Sequence, residues 1–509
     1  MNELTNLARI VTERRLKALP LLDFSARQAT NKEMALVQLI TSEPNRSQQQ
    51  LVKALYGNLG SANQTAFRKL KSRVQQKLLN HLFFLDDTDP RHPVGRRYEQ
   101  QFVSLYFQMS TLFAEGDLHT TEPLARKALR LAHTYELTQY AVLCGQILRA
   151  VYADLRMPAR YKANNHQLAR DQKLLALEES AAQIHWEVKA SMAYTVQARR
   201  AVLNKMDSYV EQLRDLHRQA NSYATLFYYY RIRLYREELV GNYEEIIRVT
   251  GFMAKQLAQG KINKLRFDKR YNSYMSVYAH FRSQQASKGL KLAEEYAKDF
   301  HPSSVNWPYF MEMYLLLAVH AGQYGQAQEL LHAVRKNVHF QKQPVAARQR
   351  WDLYEAYLQF MRPDASPLRM RSFTTFVQTV PDHSRDKQGY NVAVLILQFL
   401  YYLRQRDLEG LLLRLEGLRK YQQRHLREAG ALRSQLFFRL LSVTVKNDFN
   451  PAQSEQRAAP LLKQMQAAPP PGEAFSEIEI VPYEELWALT LDILRSTAAE
   501  RAREDRQLV

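Results

Sequence analysis

Apolar and polar positions along most of this chain recur at intervals of three and four residues, the period of a helix with one buried face. The pattern is clearest over residues 310–338. Phe310, Met313, Tyr314, Leu317 and Ala318 form one stripe, the run stops at Gly322, and Tyr324, Ala327, Leu330, Leu331 and Val334 open another. Gln326, Gln328, Glu329 and Arg335 fall on the side away from that second stripe. Two helices folded back on each other at Gly322 are predicted. Such a hairpin cannot bury both of its sides alone, so it reads as one unit of a stacked array.

The same pattern divides the chain into three regions. Residues 1–95 are predicted to form a small helical module, with helices near 3–18 and 31–41, the second capped by Asn31. Pro44 and Ser47 open a short helix, the loop from Tyr56 to Ser61 closes it, and a long two-faced helix follows over 63–85. Phe67, Leu70, Val74, Leu78 and Leu82 form its apolar stripe, while Arg68, Lys69, Arg73 and Lys77 are expected on the other side. Asp86, Asp87 and Asp89 end it, and a linker is expected over 88–97. Residues 96–467 repeat the hairpin, with elbows at Gly116, Gly241 and Gly322. Less marked turns fall near Met157, Asn204, Gln284, Arg362, Arg406 and Lys446, so successive elbows lie roughly 36 to 47 residues apart. Residues 468–509 begin with a proline run that no helix can continue. A short extended segment over 475–481 and a last helix from Tyr483 follow, with Leu486, Trp487, Thr490, Leu491 and Leu494 on its packing side.

Two resemblances rest on these residues. Gly322, Tyr324, Ala327, Leu331 and Val334 resemble the later half of a tetratricopeptide repeat, and Gly241, Tyr243 and Ile246, then Gly116, Leu118, Ala125 and Ala128, do so more loosely. The resemblance implies an all-α, right-handed superhelical solenoid of antiparallel helix pairs (TPR-like), whose first helices line a groove for an extended or helical segment of another protein. The chain departs from the family pattern: Leu315, Leu234 and Met109 stand where a small residue is usual, the closing proline is missing, and the spacing exceeds about 34 residues. In residues 47–85, a helix, a glycine-bearing turn and a longer basic helix resemble a helix-turn-helix.

Composition narrows the function. Glycine (16) and proline (18) are scarce for 509 residues, which disfavours long strands. The net charge of +20 favours an acidic partner, whether protein, nucleic acid or anionic surface. One cysteine, Cys144, excludes internal disulfides and zinc fingers. Charged residues interrupt the apolar runs of the amino terminus, and the strongest apolar stretch, 390–403, is broken at Gln398 and too short to span a bilayer. A cytoplasmic protein with no membrane span is expected. No glycine-rich phosphate loop, paired-histidine zinc motif or nucleophile elbow occurs, so no catalytic residue, cofactor or metal is assigned.

Two aromatic and basic stretches remain. In 227–237, Tyr229 neighbours Arg231 and Arg233, and in 264–282, Lys264, Arg266, Lys269 and Arg270 flank Tyr271 and Tyr274. Tyrosine with arginine is the composition of interface hot spots, and equally of helix packing lined by solvated cations. The leading expectation is a non-enzymatic scaffold that grips an acidic protein segment with these residues. The alternative is a nucleic-acid-binding regulator that uses Arg68, Lys69, Arg73 and Lys77.

Overall fold

The computed structural model describes residues 2–17, 19–24, 31–43, 46–85, 94–192, 196–362, 390–425, 432–468 and 479–507. Among them every regular element is helical, and most helices consecutive in sequence pack against one another. Two compact units are present, Met1–Leu175 and Ala176–Val509. Pro44, Asp86, Asp87, Asp89, most of the 88–97 linker, the proline run and residues 475–478 lie outside the described residues.

The first unit opens with α1 (Asn2–Arg14), α2 (Lys32–Ser42), α3 (Gln48–Tyr56) and α4 (Ser61–His81). Asn31 caps α2 through a 2.9 Å bond from the Met34 amide, and Ser47 with Gln50 forms a capping box at α3. Leu22, Met34, Leu36, Val52, Phe67, Leu70 and Val74 make a core of their own for α2–α4. Phe67, Leu70 and Val74 of the stripe read on α4 fill it and Leu78 packs at its edge, whereas Leu82, expected on the same stripe, lies past the helix end and is exposed. The helix stops at His81 rather than near residue 85 and a 3₁₀ turn, Leu82–Phe84, follows; the His81 ring accepts from the Leu22 amide at 2.8 Å. A separate core joins α5 (Val94–Ala114), α6 (Leu118–Thr134) and α7 (Thr138–Asp154), built on Phe102, Met109, Ala125, Ala128 and Leu148. Cys144 is fully buried in it, and burial pushes its thiol pKa up to about 12.

A long helix, α8 (Pro158–Met192), carries the chain into the second unit. There follow α9 (Val196–Ala220), α10 (Tyr223–Val240), α11 (Tyr243–Ala258), α12 (Lys269–Arg282), α13 (Ala286–Tyr296), α14 (Trp307–His320), α15 (Tyr324–Lys336) and α16 (Val345–Met361). The chain ends in α17 (Tyr390–Gln405), α18 (Leu408–His425), α19 (Leu432–Lys446), α20 (Pro451–Ala467) and α21 (Tyr483–Gln507). Asn204 and Lys205, expected at a turn, lie within α9: Val202, Met206 and Leu213 continue one buried face through that point, and no glycine or proline interrupts it. Helix α12 packs on α14 as well as on α13, as stacked pairs do. The apolar stretch at 390–403 is α17, with Val392, Ile396, Leu397 and Leu400 in the core.

The elbows share one hydrogen-bond device. At Gly116, Gly241 and Gly322 the backbone is left-handed (φ +75°, +74° and +71°), and the next amide reaches back to a carbonyl five residues earlier at 3.0, 2.9 and 2.8 Å. Glu136, Arg156, Gln284, Arg406 and Asp448 take the same left-handed conformation without being glycine.

Two glycines set opposite expectations. A Cβ on Gly289 of α13 would sit 2.8 Å from both His280 Cβ and Leu317 Cδ2, whereas one on Gly251 of α11 would meet nothing within 4 Å. Urea unfolding should show Gly289→Ala destabilising by about 1–3 kcal/mol, the cost of overpacking. Gly251→Ala should stabilise by about 0.5–1 kcal/mol, the gain of alanine over glycine inside a helix.

Candidate functional site

Helix α10 carries Tyr223, Phe227, Arg231 and Tyr235 at four-residue intervals, so the four share one flank. Opposite them α12 begins at its cap Asp268, whose carboxylate accepts from the amides of Arg270 at 3.1 Å and Tyr271 at 3.4 Å. The cap fixes Tyr271 beside Arg231. The Arg231 guanidinium carbon lies 3.8 Å from the centre of the Tyr271 ring, 5.4 Å from Tyr235 and 5.9 Å from Phe227. Its Nη2 donates to the Tyr235 hydroxyl at 2.9 Å, and its Nε is buried without a hydrogen-bond partner. Arg231 forms no ion pair among the described residues. Three rings therefore hold its charge in place without neutralising it.

Beside this group is a cavity of about 210 Å³. Tyr223, Phe227, Tyr230 and Phe267 supply rings, Leu226 and Met253 supply apolar wall, and Arg231 and Asp268 supply the charges. The Tyr230 hydroxyl donates to Asn272 Oδ1 at 2.8 Å, and Asn272 Nδ2 donates to the Thr250 carbonyl at 3.2 Å, which ties α10, α11 and α12 together. Burial raises the pKa of both Tyr230 and Tyr271, so their hydroxyls stay protonated. His185 of α8 packs on the far side, with its ring centre 5.2 Å from Tyr228 and 6.1 Å from Phe227. It is 4% exposed, and its Nδ1 has no hydrogen-bond partner. Burial, then the charges of Arg231 and Lys189, lowers its pKa to about 4.

The structure gathers only part of the expected set. Arg231 and Tyr271 meet, and Arg266 joins them at the rim: its guanidinium lies 5.0 Å from the Tyr223 ring, and its carbonyl accepts from the Tyr223 hydroxyl at 2.8 Å. Lys264 and Arg266 stand in the turn between Gly260 and Asp268, where Gly260 (φ +69°) follows the end of one helix and Asp268 caps the next. Lys264 is exposed there. Tyr229 and Arg233 face away from Arg231. Tyr229 lies over His217 at 6.5 Å, and Arg233 pairs with Glu245 at 2.6 Å. Lys269 pairs with Asp299 at 2.8 Å, Arg270 reaches its own cap Asp268 at 3.5 Å, and Tyr274 stacks on Tyr278 within the core. Tyr223, Asp268 and His185 were not singled out in the sequence. The four-residue spacing through Tyr223, Phe227, Arg231 and Tyr235 was the available signal.

In the amino-terminal module Arg68, Lys69, Arg73 and Lys77, four of the five cations of α4, do not form one face. Arg68 and Lys77 are nine residues apart, which places them about 180° apart around the helix. Lys77 pairs with Glu33 of α2 at 2.7 Å, and Arg73 approaches the same carboxylate at 3.9 Å. Arg68 and Lys69 are exposed and have no ion pair among the described residues. Among the described residues no three His, Cys, Asp or Glu side chains gather closely enough to share a metal ion, and no helix is long and apolar enough to cross a membrane.

The buried histidine sets a pH dependence. His185 titrates near 6.5 when unfolded and about 4 when folded, so the unfolded chain binds more protons between those values. Its contribution is complete above pH 6.5 and is lost as pH falls through about 4, a change of about 3 kcal/mol. His217, His280 and His320 are lowered by burial too and act in the same direction. Urea unfolding at pH 7 and pH 4.5 should show His185→Phe losing less stability on acidification than the unmodified chain.

Compared with protein-family models, curated proteins and solved structures, the chain matches none.

Proposed function

We propose that the chain is a non-enzymatic interaction protein of the cytoplasm, in which tetratricopeptide-like helix pairs stacked in a right-handed sense hold an acidic segment of a protein partner. The α10–α12 face is the recognition surface, and Arg231 takes a carboxylate of the bound segment. One observation carries this reading: a guanidinium ringed by Tyr271, Tyr235 and Phe227, lacking an ion pair among the described residues, beside a cavity of about 210 Å³ walled mainly by rings and apolar side chains. Aromatic walls around a fixed arginine combine contact area with a charge-assisted hydrogen bond, the combination that dominates many interfaces. Arg266 at the rim and exposed Lys264 extend the positive field along the same face.

Selection of a random peptide library on the full chain tests the proposal. Enriched peptides should carry Asp or Glu next to an apolar or aromatic residue. Arg231→Gln should weaken the best of them about tenfold to a hundredfold, the loss of one charge-assisted bond, while the melting temperature holds. Arg233→Gln, whose parent guanidinium is taken by Glu245, should leave affinity unchanged. Enrichment without acidic residues, or equal binding by the Arg231 variant, would overturn it.

A further inference from the structure

A second surface lies on the amino-terminal module. Helices α2, α3 and α4 leave an open groove of about 640 Å³ between them. Its floor is apolar, with Leu36, Ile40, Leu51, Leu78, Leu79 and Leu82 among its lining. Leu79 is 48% exposed and Leu82 56%, and Phe83 and Phe84 beyond the groove's end are more than 70% exposed. Large apolar side chains gathered along one groove and its end, rimmed by polar residues, are the character of a docking surface.

The groove has a shape and a sign. Along α4 its lining runs from Phe67 to Leu82, about 22 Å at the helical rise. Such a length suits a helix of about four turns that presents one side chain per turn. From Gln48 to His81 the sequence has six lysines and arginines and no Asp or Glu. Arg46 on the rim is already held by Glu43 at 2.6 Å. Lys71, also on the rim, and Arg68 one turn earlier are exposed and have no acid partner among the described residues. A second copy of this module would bring the same uncompensated cations against them. A phosphate backbone would meet leucine on the floor, and Arg73 and Lys77 already face Glu33.

We infer that this groove binds an amphipathic helix of a partner protein, with leucine-type residues on its inner face and acidic residues along its edges. This holds independently of the α10–α12 face.

The test uses the full chain and a fluorescein-labelled synthetic 16-residue helix, with leucine at successive helical-face positions and Glu or Asp elsewhere, a length of about four turns. Its counterpart with Lys in place of the acids and a duplex DNA of the same label complete the set. Anisotropy should show the acidic helix binding at least about tenfold more tightly than the Lys form. Lys71→Glu and Leu82→Ser, both at exposed positions, should each weaken it by about tenfold while the circular dichroism melt stays in place. Leu79→Asp should do the same, and if that variant does not fold, the other two decide. Equal binding of both peptides, or acidic-helix binding that survives Lys71→Glu and Leu82→Ser, would overturn the inference. So would salt-sensitive duplex binding lost on Arg68→Ala with neither peptide bound, or a dimer dissolved by Leu82→Ser with neither peptide bound.

Discussion

Helix α14 is apolar on every side, and its enclosure governs the second unit. Residues 310–319 are all buried, so no flank of the helix is left for water. A helix of that kind requires neighbours all round. Helices α12, α13 and α15 pack on it directly. Its one charge within that run, Glu312, accepts from Arg350 of α16 at 3.2 Å and from the Tyr354 hydroxyl at 2.5 Å, which offsets the cost of burying a carboxylate. Residues 479–485 meet its carboxy end and the start of α15. His320 donates from Nε2 to the Glu479 carbonyl at 2.7 Å, and the Tyr324 hydroxyl bonds Glu485. Arg433 then fixes that returning segment by pairing with Glu479 and Glu484 and donating to the Met465 carbonyl.

This return separates what was legible in the sequence from what was not. Helix faces were legible because each encodes its own burial at a period near four, as α15 and α21 do. Elbows at Gly116, Gly241 and Gly322 were legible because glycine adopts the left-handed conformation at no steric cost and so marks such turns in a sequence. At Glu136 and Asn221 the backbone takes the same conformation with side chains that give no such mark, and both turns were missed. Contacts such as His320 to Glu479 join positions 159 residues apart. Nothing in local periodicity reports them. The low amphipathicity of α14 was the one trace: a stretch apolar all round must be covered by something distant in sequence.

For the candidate site, residue type was legible and pairing was not. Composition marked 227–237 and 264–282 as rich in tyrosine and arginine, yet it treated all their cations alike. In the fold, Arg233 and Lys269 meet carboxylates from other helices, while Arg231, two residues from Arg233, turns to the opposite flank and meets only rings. Residues two apart on a helix differ by about 200°, so neighbours in sequence are not neighbours on a surface. The same geometry divides Arg68 from Lys77 on α4. Wheel position together with the location of each acid, the second of which needs the fold, distinguishes a cation spent inside the molecule from one that a partner meets.

The two surfaces would therefore work through different physics. Around Arg231 the rings fix a guanidinium that has already lost much of its freedom, so an incoming carboxylate pays little ordering entropy and selectivity follows from geometry. On α4 the affinity would come from covering leucine, which is non-directional, and Lys71 and Arg68 would select by repelling a basic helix. A net charge of +20 is common to both and distinguishes neither. What distinguishes them is the material beneath the charge, aromatic rings that orient it in one case and an open aliphatic floor in the other, so ligands suited to one would be poor ligands for the other.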